Sequence, residues 1–161
     1  MTIDVGTLSA DDWALWRRLR LRALTESPEV YASALADWTG PQDTEERWRG
    51  RLTDVPFNAV LWHGDRAVGM VSGTAPGADG LVELISLWVA PEARGRGLGD
   101  AAVGAVLAWA RRTHPGRAVA LSVRLGNNRA ADLFRRNGFV DAAVAGGERD
   151  ERRMLHRPRG T

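Results

Sequence analysis

Cysteine and lysine are both absent from this chain, tyrosine occurs once, and histidine only at 63, 114 and 156. Without cysteine there is no disulfide, no thiolate metal site and no cysteine nucleophile. Three scattered histidines give no metal-binding pattern, so no metal is expected. Without lysine there is no Walker-type phosphate loop, which needs a Lys-Ser/Thr pair. The longest apolar run, Ala101–Ala110, falls short of the roughly 20 residues that a membrane-spanning helix needs. The opening stretch MTIDVGTLSADDW lacks a basic region followed by an apolar one, so no signal peptide is expected. These absences point to a cytoplasmic protein without a membrane partner.

The missing lysine also accounts for the sequence pI of about 10.2. All 22 basic residues are arginine, against 20 acidic ones, so the formal net charge is only +2 at pH 7. Arginine stays protonated, and almost nothing else can titrate between neutrality and pH 10. The pI therefore rises without a strong positive field, and no nucleic-acid partner is expected. What remains is ordinary for a globular chain: 161 residues, 44% hydrophobic and 26% charged. That length suggests one domain over 1–161, with 155–161 as a frayed tail.

The chain is organised around Leu81–Ala110, LVELISLWVAPEARGRGLGDAAVGAVLAWA. Its first ten residues are nearly all apolar and rich in strand formers, as in a strand covered on both faces. Pro91 breaks the strand. From Leu98, apolar residues recur with helical spacing at Ala101, Ala102, Ala105, Val106 and Trp109. Between strand and helix lies Arg94-Gly95-Arg96-Gly97-Leu98-Gly99. The first amides of a helix have no intrahelical partner and carry the positive end of its dipole, so they suit an anion. Glycines let a phosphate approach the backbone closely, and Arg94 and Arg96 add forked donors. The glycines fall as G-x-G-x-G, not as the G-x-G-x-x-G of a Rossmann turn. A merely solvated glycine-rich turn is the alternative.

Arg94-x-x-Gly97-x-Gly99, following Val89-Ala90-Pro91-Glu92, resembles the acetyl-CoA signature of the GNAT superfamily of N-acetyltransferases, R/Q-x-x-G-x-G/A after the fourth strand. A second stretch, Asn127 to Phe139, resembles the later GNAT motif N-x-x-A-x-x-L-Y-x-x-x-G-F and matches it at Asn127, Ala130, Leu133, Gly138 and Phe139. It reads as a short helix capped by Asn127, with Ala130, Leu133, Phe134 and Asn137 on one face and Gly138 ending it. The two motifs stand in the right order, one helix and one strand apart, and the resemblance covers about 82–139.

The rest of the chain supplies the remaining elements. Thr2–Leu8 reads as a strand. Ser9 caps a helix on which Trp13, Trp16, Leu19, Ala23 and Leu24 keep one face, leaving Arg17, Arg18, Arg20 and Arg22 on solvated faces. Ser27-Pro28-Glu29 ends it. A short helix spans Gln42–Leu52. Phe57–Trp62 and Ala67–Gly73 form a hairpin around Gly64-Asp65. Arg117–Arg124 is a buried strand, Phe139 to about Val144 another, and Arg149–Leu155 a charged last strand, partly exposed or at an edge. The order β-α-α-β-β-β-α-β-α-β-β describes an α/β mixed sheet with helices on both faces. It is also the element order of the GNAT, or acyl-CoA N-acyltransferase, fold.

The resemblance implies transfer of an acetyl group from acetyl-CoA, the cosubstrate, to a primary amine of a small molecule, protein or peptide. It places the pyrophosphate on residues 94–99 and Asp100, and the pantetheine arm along Leu87, Trp88 and Val89, beside Ala130 and Phe134. It allows a homodimer. Glu83, the one charge in its strand, is the candidate base. By strict alternation it shares a face with Ile85, Leu87 and Val89, where apolar surroundings would raise a carboxylate pKa; a β-bulge, common in the fourth strand of the fold it resembles, would change which way the residues after it point. A strand-start charge reaching solvent is the other reading. Many GNAT enzymes carry a proton-donating tyrosine where this chain has Phe134, so water, Tyr31 or Ser86 must serve, or the thiolate leaves unprotonated. Asn127 then acts toward the pantetheine arm or an ordered water, or only caps. Tyr31, in LRALTESPEVYAS, resembles an N-terminal signature of one GNAT group. It either lines the substrate pocket or packs on the first helix. A non-catalytic acyl-CoA-binding regulatory domain is the alternative function.

Overall fold

The computed structural model describes residues 2–26, 35–142 and 150–158. Among these the elements run β1 (Ile3–Thr7), α1 (Trp13–Glu26), α2 (Glu45–Asp54), β2 (Phe57–His63), β3 (Arg66–Gly73), β4 (Val82–Val89), α3 (Leu98–Thr113), β5 (Val119–Arg124), α4 (Asn128–Arg136), β6 (Val140–Asp141) and β7 (Glu151–His156). This is the expected order. Local chemistry sets the helix starts. Ser9 and Asp12 form a capping box ahead of α1. Thr44 accepts from the Arg47 amide and starts α2. The expected start at Gln42 was too early, because Gly40–Gln42 makes its own 3-10 turn. The β2–β3 hairpin closes on Gly64, whose φ is +63°, and Asp65.

One seven-stranded sheet runs β1-β2-β3-β4-β5-β7-β6. Its pairs are antiparallel except β4 with β5, which is parallel. Helices cover both faces, as the neighbours Ser72 and Gly73 show, since adjacent strand residues point to opposite sides. Ser72 receives a hydrogen bond from Arg51 on α2. A Cβ on Gly73 would lie 2.8 Å from the Trp109 ring on α3, so that position needs glycine. Among the described residues no helix is long and apolar enough to cross a membrane.

Three expectations are corrected. Of the two readings of the last strand, the edge fails, since β7 lies between β5 and β6, while the partly exposed strand stands, since Met154 and Leu155 alone are buried. Its charges find partners within the sheet: Arg153 meets Glu83, and Arg152 meets Asp141. The expected tail begins too early: Leu155 pairs with Ala120, and His156 pairs with Val119 and packs on the Phe139 ring. Finally, of the α1 arginines, Arg18 and Arg22 are exposed as expected and Arg17 is partly exposed, with Arg17 and Arg22 ion-paired, while Arg20 departs from the expectation. Arg17 pairs with Asp43, Arg22 pairs with Glu92 and lies over Trp88, and Arg20 is buried.

Asp43 ties α1 to α2. It accepts from Arg17 through both oxygens and from the Trp48 indole. The Arg17 hydrogen bond, then that of Trp48, lowers its pKa to about 2. A carboxyl whose folded pKa is depressed stabilises the fold above its unfolded value, and that contribution is lost as pH falls through the folded value. Asp43→Asn is therefore expected to flatten the fall in melting temperature between about pH 4 and pH 2, where the native carboxylate is titrated. Unfolding scans of both proteins across that range check it. An unchanged acid branch would refute the assignment.

Candidate active site

The site begins with an irregularity in β4. Gly69 pairs with Val89 and Met70 with Trp88, then Ser72 with Ile85 and Gly73 with Leu84. Val71 of β3 thus faces two residues of β4, Ser86 and Leu87, which makes a β-bulge. Ser86 takes φ +57°, and no other non-glycine among the described residues has positive φ. The bulge breaks strict alternation. Glu83 shares its face with Ile85 and Trp88, not with Leu87 and Val89 as alternation alone required. On the other side, β4 and β5 pair only at Val82↔Val119 and Glu83↔Ala120. Beyond these the strands part and open a cleft of about 1200 Å³.

One wall of the cleft is the turn before α3. Gly95 (φ +76°) and Gly97 (φ +85°, the N-cap of α3) adopt left-handed conformations that favour glycine. A Cβ on Gly95 would meet nothing within 4 Å, and one on Gly97 only Ile3 Cδ1 at 3.9 Å, so the turn offers open space above the helix amides. Gly99 has another reason. Its Cβ would lie 3.1 Å from Leu133, so glycine lets α3 approach α4. Leu98 is buried at the base of the turn.

The two arginines of the turn part company. Arg94 donates through Nε to the Val89 carbonyl at 3.0 Å and through Nη2 to Glu26 at 2.5 Å. It fastens the turn to β4 and α1, so it is not the free anion ligand suggested by its motif position. Arg96 is exposed and has no ion pair among the described residues, and it does not line the cleft. Asp100 faces α4, accepting from Arg136 at 2.9 and 2.8 Å and from Asn137 at 2.8 Å. The Arg136 hydrogen bond chiefly holds its pKa below the ordinary value.

The opposite wall is α4. Asn127 caps it by accepting from the Ala130 amide at 3.3 Å through Oδ1, which leaves the Nδ2 donor on the cleft lining without a partner among the described residues. Ala130 and Phe134 line the same wall, and Phe134 meets Phe139 edge-on at 5.9 Å. Along the floor, Leu87, Trp88 and Val89 follow the bulge, with the Trp88 ring buried.

Glu83 lines the cleft where β4 and β5 part. Its surroundings are not apolar. Arg153 of β7 grips both carboxylate oxygens at 2.7 and 3.0 Å and also reaches Ser122 Oγ at 3.0 Å. The Glu83 hydrogen bond leads the causes that raise the Arg153 pKa. The isolated-carboxylate argument therefore fails, and what stands is an ion-paired glutamate that remains 30% exposed.

The cleft thus gathers Glu83, the 87–89 strand end, the turn at 94–95 and 97–100, and the face of α4. Tyr31 lies outside the described residues. Sequence reasoning missed the burial of Arg20 and the roles of Arg51 and Arg153; it allowed for a β-bulge in the fourth strand without placing it at Ser86. Two of these left a trace: Arg20 falls one helical turn after Trp16, and Arg51 three residues after Trp48, both on buried faces. The partners of Ser86 and Arg153 left none.

Comparison with known proteins bears on the family and the fold. Residues 18–139 match a family model described as the acetyltransferase (GNAT) family. A curated relative, mycothiol acetyltransferase of Geodermatophilus obscurus, is 33% identical over 141 residues, which is 84% of this chain and 44% of that protein. The chain therefore spans less than half of that relative's length. Among solved structures, the PaiA N-acetyltransferase of Thermoplasma acidophilum in complex with coenzyme A superposes with TM-score 0.75 at 14% identity, over 98% of this chain and 99% of that one. The spermidine N-acetyltransferase of Vibrio cholerae in complex with CoA and spermine gives TM-score 0.71 at 16% identity, over 95% and 94% of the chains. At those identities the likeness is one of fold.

Proposed function

Because the chain belongs to the acetyltransferase (GNAT) family, we propose that it is an N-acetyltransferase that moves the acetyl group of acetyl-CoA to a primary amine, by direct attack in a ternary complex. The observation that carries this reading is the single cleft that runs from the glycine turn at the α3 N-terminus to Glu83 along the bulged edge of β4. The site suits the cosubstrate. Left-handed Gly95 and Gly97 leave room for a pyrophosphate against the first amides of α3, whose dipole favours it. Asp100 would repel a phosphate, but Arg136 neutralises it. The exposed edge of β4 offers backbone groups to an extended arm, in the manner of an added strand. The Nδ2 of Asn127 supplies a further donor from α4.

The acceptor must lose a proton before it attacks. Glu83, partly exposed in the cleft, takes that proton directly or through a water, and Arg153 holds its carboxylate in place. The thiol leaving group needs no tyrosine. With an ordinary pKa of about 8.5 it departs as thiolate or takes a proton from water, Ser86 or Tyr31. The ring of Phe134 without a hydroxyl is the one feature that favours the alternative, an acyl-CoA-binding domain without turnover.

Thermal unfolding with acetyl-CoA, with free CoA and with neither tests the donor site. A ligand at 100 times its Kd stabilises the fold by about 2.7 kcal/mol, an easily read shift. Absence of any shift at millimolar acetyl-CoA would overturn the assignment. Thiol release in the presence of amines then separates turnover from binding alone.

A further inference from the structure

The cleft has a second arm, between β4 and the α1–α2 pair, whose charge is positive. Arg51 of α2 lines it, and so do Arg20, Trp16, Trp38 and Trp48. Arg51 is fixed in place. Its Nη1 donates to Asn58 Oδ1 at 2.9 Å, and its Nη2 donates to Ser72 Oγ and to Ser86 Oγ, both at 3.2 Å. The guanidinium carbon lies 4.9 Å from the centre of the Trp16 ring. Asn58 and Ser72 are themselves buried and bonded to each other at 2.7 Å.

The acceptors that Arg51 bonds among the described residues are all neutral. A guanidinium has five N–H donors, and three hydrogen bonds are made to described residues. No carboxylate forms an ion pair with it among the described residues; Asp54 acts on it only through space, and less strongly than burial and the neighbouring Arg20. Those two influences push the Arg51 pKa down to about 10, which still leaves it charged at neutral pH. Of the acids lining the cleft, Glu83 is already held by Arg153 and Asp100 by Arg136. A half-buried cation is costly unless an anion meets it. This one sits at the bulge, beside the strand edge where the acetyl group is to be delivered.

Resting on the transferase reading above, we infer that the acceptor amine also bears a carboxylate, as an amino acid does, and that this carboxylate docks on Arg51. The tryptophan-lined walls accommodate the carbon skeleton between the two ends. The same charge repels a polycation, so polyamines are excluded.

The test is a thiol-release assay at saturating acetyl-CoA with L-amino acids, the matching L-amino acid amides, spermidine and a short peptide with a free N-terminus. The acids are expected to exceed their amides in kcat/KM by about tenfold or more, the scale of one charge-assisted hydrogen bond. Arg51→Gln should collapse that ratio toward one, because KM rises far more for the acids than for the amides. A merely structural role would lower both series together and would overturn the inference. Wild-type preference for amides, spermidine or the peptide would also overturn it while leaving the transferase assignment standing. If the variant fails to fold, the acid-to-amide ratio of the wild type decides alone. Absence of thiol release with every amine would remove the transferase reading and the inference with it.

Discussion

Gly97→Glu is expected to abolish the thermal stabilisation by acetyl-CoA while leaving a folded protein. Gly97 caps α3 at φ +85°. A side chain there costs on the order of 1–2 kcal/mol of backbone strain. The nearest atom to its Cβ, Ile3 Cδ1, lies 3.9 Å away, so no collision adds to that cost. A carboxylate at a helix N-terminus interacts favourably with the dipole and offsets part of the strain. The fold therefore survives, but the added negative charge occupies the space assigned to the pyrophosphate. Gly97→Ala carries the strain without the charge and should retain most of the shift. Circular dichroism and melting curves with and without acetyl-CoA check both variants. Normal affinity in the glutamate variant would sink the phosphate-loop assignment.

Glu83→Gln is expected to lower kcat by about 10²- to 10⁴-fold, the usual scale for losing a general base, with the acetyl-CoA shift intact. The glutamine carbonyl can still accept from Arg153, but the ion pair is lost. Arg153 is only 12% exposed in its side chain, so some stability goes with it. Arg153→Gln separates the two roles, because it breaks the same pair and leaves the carboxylate. If Glu83 serves as base, its own substitution costs far more kcat than that of Arg153, at similar loss of melting temperature. Equal losses would reduce Glu83 to a partner in an ion pair, and unchanged turnover in Glu83→Gln would remove it as base.

The features legible in the sequence are those made by consecutive residues. Apolar spacing gave the order of helices and strands, because each element buries one face of its own. The turn at 94–99 could be recognised because a helix N-terminus is built from neighbouring residues, with Gly95 and Gly97 supplying positive φ. Asn127 could be recognised for the same reason, since a cap bonds within three positions.

The tertiary structure decided what depends on partners far along the chain. The bulge at Ser86 is a mismatch between β4 and β3, and no property of β4 alone sets it. It reversed the faces assigned to Leu87 and Val89. Arg153 and Glu83 are 70 positions apart, and they meet because the sheet order brings β7 beside β5. The charges of β7 suggested a partly exposed or edge strand, yet the sheet answered them with opposite charges and placed the short β6 outside. Arg51 draws its surroundings from β2, β3 and β4 at once. Periodicity states which side of an element is buried; only the packing of the elements states what it is buried against.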